Sequence, residues 1–332
     1  MHARRASAGF SLVELLVAMT ITLIVSGAIY GLMAAGQSSF RREPELTDRQ
    51  QNIRFAMNLI QGDVANAGGG QPDFFRSFTP GLNGLGPNGP AGVKADFLEV
   101  FGNDGTCPDI PTCGNQAITA SNIFTKPVLP GCFTLPGLVS FSDATDYNIT
   151  WSCAPGSAQS NGCSGSGTNG HITFPPGSSS LYNSPGGLGF NPQVASVLQF
   201  VRYEVRLDAQ NVPNLWRSPT GGLIPPSGGQ CKSTSGTLSD GFQLVARGIE
   251  DLQVQYLTGA GWSDVPPTAI TTYGNIVRQV RVTLSARALA PNLAGQTTSA
   301  IGSAVRGQLT STISPRAALI ALGKASPAPM WR

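Results

Sequence analysis

An α+β protein is predicted, with one long N-terminal helix, apolar in its first half and amphipathic in its second, ahead of a strand-rich region with long loops. Three observations predict it. Residues 10–40 form an apolar stretch with a single charge, Glu14, in its first thirty residues. A helical stripe of apolar side chains follows between Leu46 and Ala67, and alternating apolar and polar residues recur after Ala195.

The apolar stretch comes first because it constrains the rest. Residues 15–35 carry no charge, and at about 1.5 Å per residue a helix of that length spans roughly the 30 Å hydrocarbon core of a bilayer. Residues 10–40 therefore read as a transmembrane helix behind a short basic leader, residues 1–9, that holds Arg4 and Arg5. An ordinary secretory signal is the competing reading, with Ala34 and Ala35 as the small-residue cut. The length of the stretch and the carboxylate near its start argue against it. A carboxylate in an apolar helix is costly unless it is paired or kept near the interface. Glu14 must find a compensating partner, or sit among the headgroups and complement the dipole of the first turn. Gly27 and Gly31 form a G-x-x-x-G pair that permits close approach between helices. Basic residues tie across the span, Arg4 and Arg5 against Arg41 and Arg42, so the positive-inside rule does not orient it.

Residues 41–70 continue the helix outward. After Pro44, Leu46, Ile53, Met57, Ile60, Val64 and Ala67 recur at spacings that define one helical face. This stripe should lie on a globular domain with Asp48, Arg49, Gln50 and Arg54 facing water, and Gly68, Gly69 and Gly70 should stop the helix.

Residues 71–194 are rich in Gly, Pro, Ser and Asn, with short strand candidates at 97–101 and 137–141; residues 154–192 are the most biased part. Residues 195–332 carry sharper strand signals. Val201, Tyr203, Val205 and Leu207 alternate with Arg202, Glu204, Arg206 and Asp208, which predicts one buried and one wet face. After a turn at 210–214, further strands are expected at 215–217, 242–246, 252–257, 280–287 and 309–313.

Composition narrows the function classes. Charged residues make up only 12% of the chain beside 41 Gly and 25 Pro, a profile of turns and surface loops. Basic residues exceed acidic ones by 21 to 18, and subtracting Arg4 and Arg5 from 21 leaves 19 against 18. No dense basic stripe is present, so nucleic acid is set aside as a partner. Cys107, Cys113, Cys132, Cys153, Cys163 and Cys231 are even in number, lie outside the apolar stretch, and lack the paired C-x-x-C and His pattern of a zinc site. They read as disulfides of an exported domain, with 107–113, 153–163 and 132–231 as the nearest-neighbour pairing. The two histidines are His2, in the leader, and His171, in a Gly-rich loop, and neither suggests a catalytic triad. Asp104 with Asp109, or Asp143 with Asp146, could offer oxygens to calcium, but no EF-hand spacing accompanies them and turn aspartates commonly bond their own backbone. No enzyme, cofactor or metal function is expected.

One motif carries a family resemblance. Gly9-Phe10-Ser11-Leu12-Val13-Glu14-Leu15-Leu16 resembles the prepilin cleavage and methylation motif G-F-[ST]-L-x-E, complete with the basic leader before it and the apolar helix behind. The resemblance implies cutting between Gly9 and Phe10 on the cytoplasmic side by a prepilin peptidase, N-methylation of Phe10, and an assembly role for Glu14 toward the Phe10 amine of a neighbouring subunit. Farther along, residues 248–256 and 277–282, GIEDLQVQY and VRQVRV, resemble the PilW-type minor pilins and, in part, the J-type pseudopilins of type II secretion. The implied fold is pilin-like, an extended helix packed on an antiparallel sheet. The implied function is that of a minor pilin which initiates or caps a type IV pilus. The implied partners are other minor pilins, the major pilin, the inner-membrane assembly platform and, as a further candidate, a pilus-tip adhesin. The expected location is the inner membrane, single-pass, N-terminus cytoplasmic and domain periplasmic, then the pilus surface. A secretion pseudopilin, or an anchored adhesin or binding domain that never polymerises, is the alternative.

Overall fold

The structure, a computed structural model, describes residues 11–79, 94–103, 105, 107–114, 122–126, 132, 137–152, 154–159, 169–173, 182–183, 189–219, 241–289 and 306–325. The chain divides into two units, residues 1–49 with 288–305 and residues 50–287 with 306–332. One helix, α1 (Leu12–Ala65), supplies the helical part of the first unit and enters the second.

In the first unit α1 is the apolar half. Its segment Leu12–Met33, 22 residues, is the one helix among the described residues long and apolar enough to cross a membrane, and none of it is buried within the chain. Pro44 lies inside the helix, where its ring removes one amide donor from the ladder and favours a local bend. The Leu289 amide donates to the Glu45 carboxylate at 3.2 Å.

The second unit is built from antiparallel strands with the amphipathic end of α1 among them. Sixteen strands are described: β1 (Phe78–Thr79), β2 (Phe97–Asn103), β3 (Ile110–Pro111), β4 (Asn122–Thr125), β5 (Gly137–Ser142), β6 (Tyr147–Ser152), β7 (Ala154–Gln159), β8 (Asn169–Thr173), β9 (Tyr182–Asn183), β10 (Val194–Leu207), β11 (Pro213–Ser218), β12 (Gln243–Arg247), β13 (Ile249–Thr258), β14 (Gly261–Ser263), β15 (Gln279–Arg287) and β16 (Arg306–Ile313). A nine-stranded sheet has the order β1-β2-β10-β5-β6-β9, with β3 and β11 also on β10 and β12 on β11. A four-stranded sheet runs β14-β13-β15-β16, and a three-stranded one β4-β8-β7. A short helix, α2 (Arg316–Ala325), follows β16.

The stripe on α1 makes the main core. Ile53, Met57, Ile60 and Val64, with Ala67 just past the helix, are buried against Val201, Tyr203 and Val205 of β10 and Leu252, Val254, Val280, Val282 and Leu284 of the four-stranded sheet. One helical face thus closes the inner faces of two sheets, which is the α+β architecture the sequence predicts. The helix ends where expected. Gly68 has φ +70°, a left-handed conformation suited to glycine, and a Cβ there would collide with the Ser77 hydroxyl. Its amide donates to the Phe101 carbonyl at 2.8 Å, and Gly102 lets β2 approach so closely that a Cβ would stand 2.9 Å from the Asn66 carbonyl oxygen.

Three expectations need correction. Leu207, expected on the buried face of β10 with Val201, Tyr203 and Val205, is 47% exposed at the end of the strand. The polar face of β10 is not wet: Glu204 is fully buried. Strand β10 is interior to its sheet, bonded to β2, β5 and β11, and the aromatic rings of Phe97 and Phe242 lie under the Arg202 and Arg206 guanidinium groups at 3.9 and 3.5 Å. His171 lies in β8, paired with Phe124 of β4 and Ser157 of β7, and not in a loop. Helix α2 has no counterpart in the sequence reading.

Candidate functional site

The site that the sequence singles out begins at Ser11, because Gly9 and Phe10, with Arg4 and Arg5, lie outside the described residues. Ser11 caps α1. Its Oγ accepts from the Val13 amide at 3.3 Å, and its own amide donates to Glu14 Oε2 at 3.0 Å. This reciprocal S-x-x-E arrangement is a capping box, which satisfies helix amides that would otherwise have no partner. The Ser11 carbonyl accepts the first helical bond, from the Leu15 amide at 3.2 Å. Glu14 is exposed and acidic in the first turn, where it complements the helix dipole.

Behind the cap the helix is suited to an apolar medium. The Thr20 hydroxyl donates to the Val17 carbonyl at 2.8 Å and the Thr22 hydroxyl to the Ala18 carbonyl at 2.7 Å. Both polar groups are thereby satisfied inside the helix, as hydrocarbon requires. Leu12, Leu23 and Ile24 are each more than 70% exposed, so this face has no partner among the described residues. A Cβ at Gly27 or Gly31 would meet no atom within 4 Å.

The second unit contributes buried polar groups that hold the sheets and helix together. The Tyr203 hydroxyl donates to Asp63 of α1, and Arg217 Nε donates to the same carboxylate at 3.0 Å. Burial first, and then the Asp63 charge, pushes the Tyr203 phenol up, so it stays a neutral donor. On the other face of β10, Arg202 binds Glu99 at 2.9 Å and Glu204 at 3.1 Å, and Arg206 binds Glu204 at 3.3 Å. Thr79 donates to Glu99. Burial raises the Glu99 carboxyl despite the Thr79 hydrogen bond and the Arg202 charge. Burial likewise raises Asp251. These networks sit between packed strands and serve cohesion.

The cysteine pairing differs from the nearest-neighbour expectation. Cys107 bonds Cys132, with Cα atoms 5.7 Å apart, which excludes both 107–113 and 132–231. Cys113 is also in a disulfide; Cys153, Cys163 and Cys231 lie outside the described residues, as does Asp104. Local spacing misled because the fold, and not the shortest loop, sets which sulfurs meet. The Asp143 carboxylate turns to its own backbone and accepts the Thr145 and Asp146 amides, both at 2.7 Å. No group of three or more His, Cys, Asp and Glu fit to hold a metal occurs among the described residues.

No curated protein and no solved structure matches the chain. Residues 4–30 match the family model of the prokaryotic N-terminal methylation motif, a range that holds the capping pair Ser11 and Glu14 and most of the apolar segment Leu12–Met33. That motif implies processing by prepilin peptidase and assembly with other pilins, and it points to a structural protein rather than an enzyme. With the exposed apolar helix it fits a membrane-anchored, pilus-associated chain. The motif, the helix and the antiparallel sheets behind it together support a type IV pilin-like protein.

Proposed function

We propose that the chain is a PilW-type minor pilin, a low-copy subunit that initiates or caps a type IV pilus. The observation that carries this is the contrast along α1 behind the methylation motif. The 22-residue apolar segment leaves every large side chain open, while the residues after Gln50 are locked into a folded domain. Such a helix is first a membrane anchor and then an assembly element for parallel neighbours. The leader, residues 1–9, is removed after Gly9, leaving Phe10 with a methylated amine. Residues 10–40 anchor, 41–70 join anchor to domain, and 71–194 and 195–332 form the exported part, N-terminus cytoplasmic and domain periplasmic. The Cys107–Cys132 bond suits that oxidising side. Other minor pilins, the major pilin, the assembly platform and a tip adhesin are the partners.

Glu14 has two roles in this reading. It caps its own helix, and its charge meets the Phe10 amine of a neighbour. The two are separable, because Gln serves a capping box as Glu does but carries no charge. Glu14→Gln and Glu14→Ala should both leave insertion and cleavage intact and both reduce recovery in sheared filaments. Normal incorporation of Glu14→Gln beside a defective Glu14→Ala would reduce the residue to a cap.

A further inference from the structure

Two adjoining cavities in the second unit have no use in the proposed function. The first, about 290 Å³, is mainly apolar and lies beside α2, with Phe75, Pro266, Ile276, Val277 and Ile320 in its wall. The second, about 400 Å³, is polar and includes the carboxyl-bearing residues Asp73, Asp109 and Asp143. Gly70, Gln71, Pro72, Asp73 and Lys324 belong to both walls. Asp73 is engaged by Lys324 at 2.8 Å. Asp109 Oδ1 accepts from the Asn103 side-chain amide at 3.1 Å, and Asp143 Oδ1 from the Thr145 and Asp146 amides, both at 2.7 Å. The second oxygen of each of these two carboxylates has no partner among the described residues, so the polar chamber is negative. Arg316, in the wall of the apolar chamber, makes that one a poor place for a cation. At the junction both amide atoms of Gln71 are buried without a hydrogen-bond partner. An unpaired buried amide is costly, so this side chain gains by turning to an occupant that brings an acceptor and a donor together.

We propose that the two chambers bind an extended peptide segment of a partner protein, with an apolar side chain in the first, a lysine or arginine in the second, and the backbone between them on the Gln71 amide. A glutamine amide offers donors on its nitrogen and an acceptor on its oxygen. One residue of an extended chain presents its own N–H and C=O toward the same side, as paired strands do when they exchange two bonds, so the two match. A cavity of roughly 150 Å³ accepts a benzene ring, and about 290 Å³ has room for a phenylalanine or leucine side chain. Ile320, 62% exposed on α2, carries the apolar wall out to the surface where such a segment would enter. The charge of Asp109 and Asp143 then selects a basic residue farther along the segment. An acyl chain would fill the apolar chamber and leave the amide and both carboxylates unanswered. A peptide of this pattern answers all three.

The test uses the full chain in detergent and end-blocked alanine peptides that carry one phenylalanine and one arginine, one to three residues apart. At least one spacing should bind, at a single site. Exchanging the peptide's phenylalanine for serine, or its arginine for glutamate, should weaken binding on the order of tenfold or more. Gln71→Ala in the chain should weaken it on the order of tenfold. Asp109→Asn with Asp143→Asn should do the same and flatten the salt dependence. Phenethylguanidinium has the ring and the cation but no backbone, and should bind on the order of tenfold more weakly than the peptide. No binding at any spacing overturns the proposal, as does binding that Gln71→Ala leaves unchanged. Equal binding of phenethylguanidinium overturns it by assigning the chambers to a small apolar cation. Binding that requires removal of residues 326–332, or self-association that the peptide disperses, overturns it in favour of the chain's own end or of a second copy. Should a variant fail to fold, the exchanged peptides decide on the unaltered chain: if they bind as well as the original, the proposal falls.

Discussion

The two halves of α1 obey one backbone geometry and opposite solvation rules. From Leu12 to Met33 no residue is buried within the chain, and the helix closes its own polar groups: Ser11 and Glu14 at the start, Thr20 and Thr22 inside. From Gln50 onward the helix keeps charges such as Arg54 in water, while Ile53, Met57, Ile60 and Val64 fill the space between two sheets. The first half therefore contributes nothing to the domain's core and everything to whatever covers it from outside. The second half is the reverse.

That division can be broken from the domain side first. Ile60 is fully buried, so Ile60→Asp places an unpaired carboxylate in the core and should cost about 4–5 kcal/mol. Denaturant unfolding would show this, whereas Ile24→Asp, on a 72% exposed residue, should leave the domain's unfolding midpoint unchanged and instead impair membrane insertion.

Next in size is the cross-link. Replacing Cys107 and Cys132 by Ser opens a loop with a separation of 25 residues, and the chain-entropy model gives a loss of about 3.5 kcal/mol. The effect belongs to the second unit alone, so detergent-extracted helix behaviour should not change.

A smaller, pH-dependent effect comes from Glu99. Its folded carboxyl is raised, first by burial, so the folded state holds a proton that the unfolded state has released. Above the unfolded value of about 4.5, stability therefore falls as pH rises through the window up to the folded value, and below that window the contribution is constant. Glu99→Gln should flatten this slope relative to the unmodified domain, measured as the denaturation midpoint against pH. A slope that persists unchanged would place the proton elsewhere, for which Asp251, also raised by burial, is the next residue to replace.

The smallest effect on folding is expected at Gly27. A Cβ there meets no atom within 4 Å, so Gly27→Ile should shift domain stability by no more than about 0.5 kcal/mol. It should nonetheless lower filament incorporation if the G-x-x-x-G face packs against a neighbour. Normal incorporation would remove that face from the assembly surface.

The same contrast explains what could be read from the residues. The stripe from Ile53 to Ala67 was legible because a helix against a core repeats its apolar positions, and Val280, Val282 and Leu284 were legible because a half-buried strand alternates. The burial of Glu204 was not, since alternation in one strand cannot show that sheet neighbours and aromatic rings cover its polar side. Nor was the partner of Cys107, which depends on how loops from distant strands converge. Helix α2 hid because its run Ala317-Ala318-Leu319-Ile320-Ala321 is too short to show a period. At the candidate site the motif was plain; the spacing of Ser11 and Glu14 also encodes the capping box, a local bond that the charge of Glu14 by itself does not reveal.

In the function proposed, the chain is cut after Gly9 and enters a filament through α1. The most direct measurement is the intact mass and N-terminal sequence of the chain recovered from membranes and from sheared surface filaments, with and without prepilin peptidase. A chain beginning at methylated Phe10 is expected in the filament fraction, and only where the peptidase is present. A chain that keeps Met1 in the presence of the peptidase, or one cut after Ala35, would contradict it.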